Sequence, residues 1–235
     1  MKKYGVIDNG NTRCKAGIFE AGELIDSAVF PAIDTAVSWL KDKGTEAIMA
    51  SSVAGTVPEN TAGLLTVSDM LKLPFNNLYA TPATLGADRI AALAGAAVLY
   101  PGEDCLIFDI GTCMTIDFLS ADLLYRGGNI SPGLKMRMEA MHHFTGRLPL
   151  ATAADILPPM GSSTLSALAN GAFQGLIYEI EGYISRTLET HPNTRIILCG
   201  GDTGHFEKQL KYRIFANQNL VLQGLYHLLI LNVKS

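Results

Sequence analysis

Charge of one sign is scarce along this chain, and so is uninterrupted apolar sequence. Its 18 Lys and Arg against 22 Asp and Glu leave a net charge of −4. The basic residues form no cluster dense enough to follow a nucleic-acid backbone, so no nucleic-acid partner is expected. The longest strictly apolar stretch, residues 90–100, falls far short of the roughly 18 residues that a membrane span needs. Met1-Lys2-Lys3 is basic, but Asp8 follows within one short strand. That leaves no apolar signal core, and a cytoplasmic location is expected. Cysteine is sparse: Cys14, Cys105, Cys113 and Cys199 include no Cys-x-x-Cys pair. This excludes a zinc site or disulfide framework and reads as small buried side chains in a reducing compartment. The one histidine pair, His142-His143, is adjacent in sequence. Helical neighbours point about 100° apart, so the pair suits a surface or interface better than a metal. Neither Gly-x-x-x-x-Gly-Lys-Ser/Thr nor a strand-linked Gly-x-Gly-x-x-Gly occurs, which removes the P-loop and Rossmann routes to a nucleotide.

What is there is a globular composition, 48% hydrophobic and 17% charged, in 235 residues, enough to bury a substantial core. It also contains an internal repeat. Tyr4-Gly-Val-Ile-Asp8-Asn-Gly10-Asn-Thr12 recurs in outline as Cys105-Leu-Ile-Phe-Asp109-Ile-Gly111-Thr112. Each copy is an apolar strand running into Asp, a Gly turn and Thr. Residues 13–19 and 113–118 can each return as a second strand, followed by the turns Glu20-Ala-Gly-Glu and Ser120-Ala-Asp-Leu. Pro101-Gly-Glu-Asp104 is the natural joint, which predicts two lobes, 1–103 and 104–235. Residues 90–100, 134–145, 165–187 and 219–231 read as helices, and 33–43 and 58–71 as helical or mixed. Residues 46–51 and 195–202 read as buried strands, the latter breaking at Gly200-Gly201-Asp202. Strands alternating with helices in both halves imply an α/β fold.

The repeated turn has a chemical logic. Glycine lets backbone N–H groups approach phosphate oxygens, threonine adds a hydroxyl donor, and aspartate suits Mg²⁺. Two such hairpins facing across a cleft would grip a triphosphate at both ends, as phosphoryl transfer demands. A single copy would be no more than a β-turn; the second copy, and Lys15 after the first, point to a paired phosphate site.

These residues resemble the superfamily of acetate and sugar kinases, actin and heat-shock chaperone ATPases. More closely they resemble the type III pantothenate kinases, a coenzyme A biosynthesis family also related to Bvg accessory factor. The resemblance runs through Asp8-Asn-Gly-Asn-Thr-Arg-Cys-Lys15, Leu85-Gly-Ala-Asp-Arg89 and Asp109-Ile-Gly-Thr-Cys-Met-Thr-Ile-Asp117. It continues through Gly127-Gly-Asn-Ile-Ser-Pro-Gly133, Thr145-Gly-Arg-Leu-Pro149, Ser163-Thr164 and Gly200-Gly-Asp202. Asn9 stands where that family usually has an apolar residue, Cys113 where alanine is usual, and the chain is somewhat short.

The resemblance implies two actin-like (ribonuclease H-like) lobes with a nucleotide cleft, and ATP-dependent conversion of pantothenate to 4′-phosphopantothenate in a homodimer. It places ATP against Asp8, Asn9, Gly10, Asn11, Thr12, Arg13, Cys14, Lys15 and Thr112, and pantothenate against Tyr79, Gly86, Ala87, Asp88, Arg89 and a Thr164 given by the partner subunit. Asp88 would be the general base, although its position before a helix also suits a cap, and the helix dipole would make it a weak base. Arg89 suits either a surface ion pair or, as the resemblance implies, the carboxylate of pantothenate. Asp117 and Lys15 are open between structural and site roles, and Gly200-Gly201-Asp202 between a simple turn and an adenosine neighbour. Asp8 is expected to hold Mg²⁺. The hairpin chemistry gives Asp109 to Mg²⁺, whereas the resemblance gives it to a monovalent cation such as K⁺ or NH₄⁺. The dimer expectation rests on the family and on the Ala-rich, close-packing surface of residues 90–100. Two competing functions are another small-molecule kinase of the superfamily and a non-catalytic nucleotide-binding regulator. The second would have no need of a base at Asp88.

Overall fold

The computed structural model describes residues 1–52, 63–68, 70–156 and 160–233. In chain order these form β1 (Lys3–Asn9), β2 (Cys14–Glu20), β3 (Glu23–Phe30), α1 (Ile33–Asp42), β4 (Ala47–Ser52), β5 (Leu64–Thr66), β6 (Asn76–Asn77) and α2 (Ala87–Leu99). The second repeat copy contributes β7 (Cys105–Ile110), β8 (Cys113–Leu119), β9 (Leu124–Pro132) and α3 (Leu134–His143). Then come α4 (Thr164–Thr190), β10 (Arg195–Cys199), α5 (Thr203–Phe206), β11 (Phe215–Ala216) and α6 (Leu220–Val233). Among the described residues no helix is long and apolar enough to cross a membrane.

The sequence repeat is a repeat of topology. The first sheet has the order β3-β2-β1-β4-β5, and the second contains the same order as β9-β8-β7-β10-β11, with β6 added outside β9. In the first copy β1, β2 and β3 are antiparallel neighbours, while β4 lies parallel to β1 and β5 parallel to β4. A parallel return needs a crossover, and α1 supplies it between β3 and β4. Where a helical or mixed segment was expected over 58–71, Leu64–Thr66 is a strand; residues 53–62 and 69 lie outside the described set. Its backbone pairs with β4, a partner invisible to local propensity.

Two compact units are distinguishable. One comprises Met1–Cys105, Asp117–Gly127 and Asn219–Ser235; the other comprises Leu106–Ile116 and Gly128–Gln218. The closing segment thus groups with the N-terminal residues, and the chain crosses between units within β8 and β9. In the first unit the alternation of strand side chains decides what lies on each face. Ile7, Cys14, Ala16 and Ile18 pack on α1 through Ile33, Ala36, Val37 and Leu40. The opposite parity on β2 meets α6: Phe19 stacks on Tyr226 at 4.5 Å, a side chain at Gly17 would press on Leu222, and Lys15 bonds Asn219.

On that same face α2 and α6 approach until their backbones touch. A Cβ on Gly95 would lie 2.6 Å from the Leu220 carbonyl oxygen, and one on Gly224 would overlap the Ala91 carbonyl oxygen. The small residues of α2 therefore serve a contact within the chain. The close-packing surface at 90–100, expected to meet a second subunit, is occupied by α6, with only Val98 and Leu99 of α2 exposed.

In the second unit, α4 begins with a reciprocal cap. Ser163 Oγ accepts from the Ser166 backbone N–H at 3.2 Å, and Ser166 Oγ accepts from the Ser163 N–H at 3.0 Å. That arrangement sets Thr164 on the first exposed turn of the helix. His142 and His143 are exposed at the end of α3, and His142 Nδ1 lies 2.7 Å from the Leu148 carbonyl oxygen.

Candidate active site

In the first unit Asp8 points to the face opposite Ile7, away from α1 and toward Asp88 of α2. Asp8 Oδ1 accepts a hydrogen bond from Ser51 Oγ at 2.8 Å, because β1 and β4 are parallel with Asp8 opposite Ser51. One residue on, and on the other face, Asn9 Nδ2 donates to Ser52 Oγ at 3.0 Å. Asn9, unusual beside an apolar strand, is thus buried with its polarity satisfied. The turn closes with Gly10 N–H donating to the Arg13 carbonyl at 3.0 Å, leaving Asn11, Thr12 and Arg13 exposed. Cys14 returns the chain to the core, and burial, aided by the nearby Asp8 carboxylate, pushes its thiol up to about 11. Such a thiol stays protonated and unreactive at neutral pH.

Lys15 pairs across the hairpin with Asp8 in register, and its Nζ donates to Asn219 Oδ1 at 2.8 Å. Burial lowers the Lys15 pKa, while Asp8 opposes that fall. Burial also pushes the Asp8 carboxyl up to about 6; the Ser51 bond resists, and Asp88 adds to the rise by repulsion. Two carboxyls that feel each other, with the Lys15 ammonium acting on Asp8, present hard oxygen donors. That donor set fits a divalent cation of the Mg²⁺ type. Among the described residues no group of three or more His, Cys, Asp or Glu is placed to hold a metal ion.

Asp88 lies in the first turn of α2, after the buried Leu85 and the helix-capping Gly86. Its Oδ1 accepts from the Arg89 backbone N–H at 2.8 Å. A Cβ on Gly86 would lie 2.5 Å from that same oxygen, so glycine is needed there for space, its φ of −55° being ordinary. The dipole argument anticipated a low pKa; instead burial raises it, outweighing the backbone hydrogen bonds and Arg89, with Asp117 pushing the same way. Desolvation wins because the helix terminus is half-buried against the sheet rather than solvated.

Arg89 is not a surface residue. Its Nη2 donates to Asp117 Oδ1 at 2.6 Å and to Tyr125 Oη at 2.8 Å, and Tyr125 Oη donates to Asp117 Oδ1 at 2.8 Å. Tyr79 stacks on Tyr125 with centroids 6.0 Å apart, and the Arg89 guanidinium carbon lies 5.6 Å from the Tyr79 ring centroid. Asp117 therefore belongs to this arginine, a partner that neither hairpin reasoning nor spacing identified.

The second unit repeats the turn with different neighbours. Gly111 N–H donates to the Cys113 carbonyl at 2.9 Å, and Thr112 is exposed. The Thr112 carbonyl accepts from Gly133 N–H at 3.1 Å, and any side chain at 133 would collide with the carbonyl oxygen of Gly111. Gly200, at φ +92°, has no room for a side chain against the Asp109 carboxylate and the Ile110 backbone. Asp202 N–H then donates to the Ile110 carbonyl at 3.0 Å. The motifs Asp109-Ile-Gly-Thr, Ile-Ser-Pro-Gly133 and Gly200-Gly-Asp are thus one packed assembly. Beside it, a mainly apolar cavity of about 250 Å³ is lined by Leu134, Met138, Leu150, Ala151, Asp202 and His205. Thr164 borders a separate open groove of about 620 Å³ with Met141, Leu148 and Ala167.

Ser51, Ser52, Asn219 and Tyr125 were missed by sequence reasoning. Ser51-Ser52 ends a short apolar strand and Asn219 precedes the last helix, so a weak signal existed for three of them. Tyr125 carried none.

The family model for type III pantothenate kinases matches residues 6–186. The type III pantothenate kinase of Phocaeicola vulgatus is 38% identical over 240 residues, covering 97% of this chain and 98% of that protein. Among solved structures, a Baf family protein from Campylobacter jejuni is 20% identical with a TM-score of 0.63, covering 96% of this chain and 97% of that one. A ROK family glucokinase from Streptomyces griseus is 12% identical with a TM-score of 0.52, covering 99% and 100% respectively. The structural likenesses bear on the fold, which is α/β and actin-like; with the family model and the near full-length identity, they lead to one conclusion: the chain belongs to the type III pantothenate kinase family.

Proposed function

We propose that this chain transfers the γ-phosphoryl group of ATP to the primary hydroxyl of pantothenate, with Asp88 as the base, giving 4′-phosphopantothenate and ADP as the first step of coenzyme A biosynthesis. The observation that carries the assignment of roles is the meeting of Asp88, Asp8 and Lys15 on one face of the first sheet, in a chain of this family. Asp88 accepts the hydroxyl proton as the oxygen forms its bond to the γ-phosphorus, and the bond to the β–γ bridging oxygen breaks to release ADP. Burial raises the Asp88 pKa, which strengthens the carboxylate as a proton acceptor. Lys15 and the turn Gly10-Asn11-Thr12-Arg13 hold phosphate oxygens, with Cys14 and Asn9 fixing the turn's two ends. Asp8 would hold the Mg²⁺ that accompanies the nucleotide, and that ion would supply positive charge for the leaving oxygens.

In the second unit, Thr112 donates to ATP and Asp109 holds a monovalent cation. The cavity beside Gly200-Gly201-Asp202 combines apolar walls with polar side chains, Lys135, Glu139, Asp202 and His205 among them, which suits a nucleobase with its ribose. On the substrate side, Tyr79, Gly86, Ala87 and Arg89 surround pantothenate and Thr164 comes from a partner subunit. A cytoplasmic location accords with a substrate and product that are small and soluble.

The test is a coupled assay of ATP consumption with the purified protein, with and without pantothenate. Pantothenate-dependent turnover that Asp88→Asn abolishes, in a folded variant that still binds nucleotide, is expected. Nucleotide binding with no pantothenate-dependent turnover would instead favour a regulator.

A further inference from the structure

The Arg89 side chain presents a difficulty of placement. Adjacent helical side chains point about 100° apart, but the long Arg89 side chain still brings its charge close enough to act on Asp88, and an unrestrained guanidinium that turned onto the carboxylate would compete with the substrate hydroxyl for the base. Here Arg89 is drawn elsewhere. It is 5% exposed, and its partners Asp117 and Tyr125 are 1% and 0% exposed. Arg89 Nε lies 3.2 Å from both Asp117 carboxylate oxygens, and Nη2 lies 2.6 Å from Oδ1 and 2.8 Å from Tyr125 Oη. Tyr125 closes the triangle by donating to Asp117 Oδ1. Asp88 meanwhile takes its hydrogen bond from the Arg89 backbone rather than from its side chain.

We infer that Asp117 and Tyr125 are positioning residues for phosphoryl transfer: they hold the Arg89 guanidinium away from Asp88 and against Tyr79, keeping the base available and the substrate side rigid. The inference rests on the proposed kinase reading with Asp88 as base. Each part of the triangle has a distinct task. Asp117 neutralises the arginine, so the cation has no need of Asp88. Tyr125 makes the pair directional, since its hydroxyl both accepts from Nη2 and donates to Oδ1, and its ring backs Tyr79. Tyr79 and Arg89, both expected beside pantothenate, are therefore set by two residues that touch neither substrate.

The experiment is steady-state kinetics on the full chain, varying ATP and pantothenate separately, for wild type, Tyr125→Phe and Asp117→Asn, alongside thermal melts. Tyr125→Phe is expected to lower kcat/KM for pantothenate about tenfold, the equivalent of one hydrogen bond to a charged group. Its KM for ATP should stay within about twofold of wild type. Asp117→Asn is expected to fall further, with kcat carrying most of the loss as Arg89 turns to Asp88. A double variant Arg89→Lys with Tyr125→Phe should be no worse than Arg89→Lys alone, because both act through one guanidinium. Asp117→Asn leaves a buried charge unpaired and can fail to fold, in which case Tyr125→Phe decides. A folded Tyr125→Phe protein with wild-type kcat/KM for pantothenate overturns the inference. So does a lowered melting temperature with unchanged activity per folded molecule, since that is a packing role alone. Wild-type protein without pantothenate-dependent turnover would overturn the parent reading, a result separable from either.

Discussion

Replacing Gly86 with alanine should silence the base without touching its carboxyl group. The backbone at Gly86 has φ −55°, which any residue adopts, so the change introduces no backbone strain. What it introduces is a Cβ 2.5 Å from Asp88 Oδ1, inside the 3.0 Å limit that real Cβ atoms essentially never cross. Asp88 must rotate, and in rotating it surrenders the 2.8 Å bond from Arg89 N–H. A bond to a charged acceptor is worth about 1.5–3 kcal/mol, but the freed carboxylate regains some solvation, and alanine is the poorer helix cap. We expect a net stability loss of about 1 kcal/mol and a modest fall in melting temperature. Catalysis should suffer far more, because a displacement of the order of 1 Å at a reacting group costs about 100-fold. The assay is initial-rate kinetics with both substrates varied, beside nucleotide binding followed by titration. We predict kcat down by about that factor with nucleotide affinity unchanged. Wild-type kcat in folded Gly86→Ala protein would refute the argument that Asp88 acts from this position.

Gly224→Ala should destabilise the protein by several kcal/mol (about 3 or more), since its Cβ would overlap the Ala91 carbonyl oxygen of a helix that cannot retreat; thermal or urea melts would show it, and an unchanged midpoint would contradict the α2–α6 contact. Asp8 carries a folded pKa of about 6 against an ordinary 3.8, so the folded state holds a proton that the unfolded chain releases. Stability of the ligand-free protein should therefore fall as pH rises from about 4 to 6, by up to about 3 kcal/mol. Asp8→Asn should flatten that fall and raise the pH 7 melting temperature while abolishing Mg-ATP-dependent turnover; an unaltered pH–stability curve would count against the buried carboxyl. Activity in saturating Mg²⁺ should still require K⁺ or NH₄⁺, and equal initial rates in K⁺, Na⁺ and a bulky organic cation at constant ionic strength would return Asp109 to the Mg²⁺ reading. Mixing inactive Asp88→Asn with inactive Thr164→Val protein should restore some activity through hybrid sites; no recovery despite demonstrated subunit exchange would count against a shared site.

Much of this protein is written locally, and the parts that are share a physical origin. The Asp-Gly-Thr turns, the strands leading into them and the helices over 134–145 and 165–187 depend on periodicity and turn chemistry within a few residues. Those signals also carried the duplication, which the strand orders repeat. Helix boundaries moved by only a few residues, α2 starting at Ala87 rather than at 90 because Gly86 caps it.

Other features depend on what folding brings alongside. Leu64–Thr66 is a strand because β4 offers a parallel edge, and residues 90–100 meet α6, their own chain's last helix, 120 or more residues on. Arg89 found Asp117 at a sequence separation of 28, and Lys15 found Asn219 at a separation of 204. No local pattern encodes either pairing. The Asp88 pKa is the plainest case: the sequence placed the carboxylate at a helix start, where the dipole favours its charge, but desolvation is a property of the assembled sheet and helices and reversed the sign. Residue type and short-range order thus determined which chemistry this chain carries. Burial and long-range pairing, which arise only when distant segments exclude water together, decided which groups hold that chemistry in place.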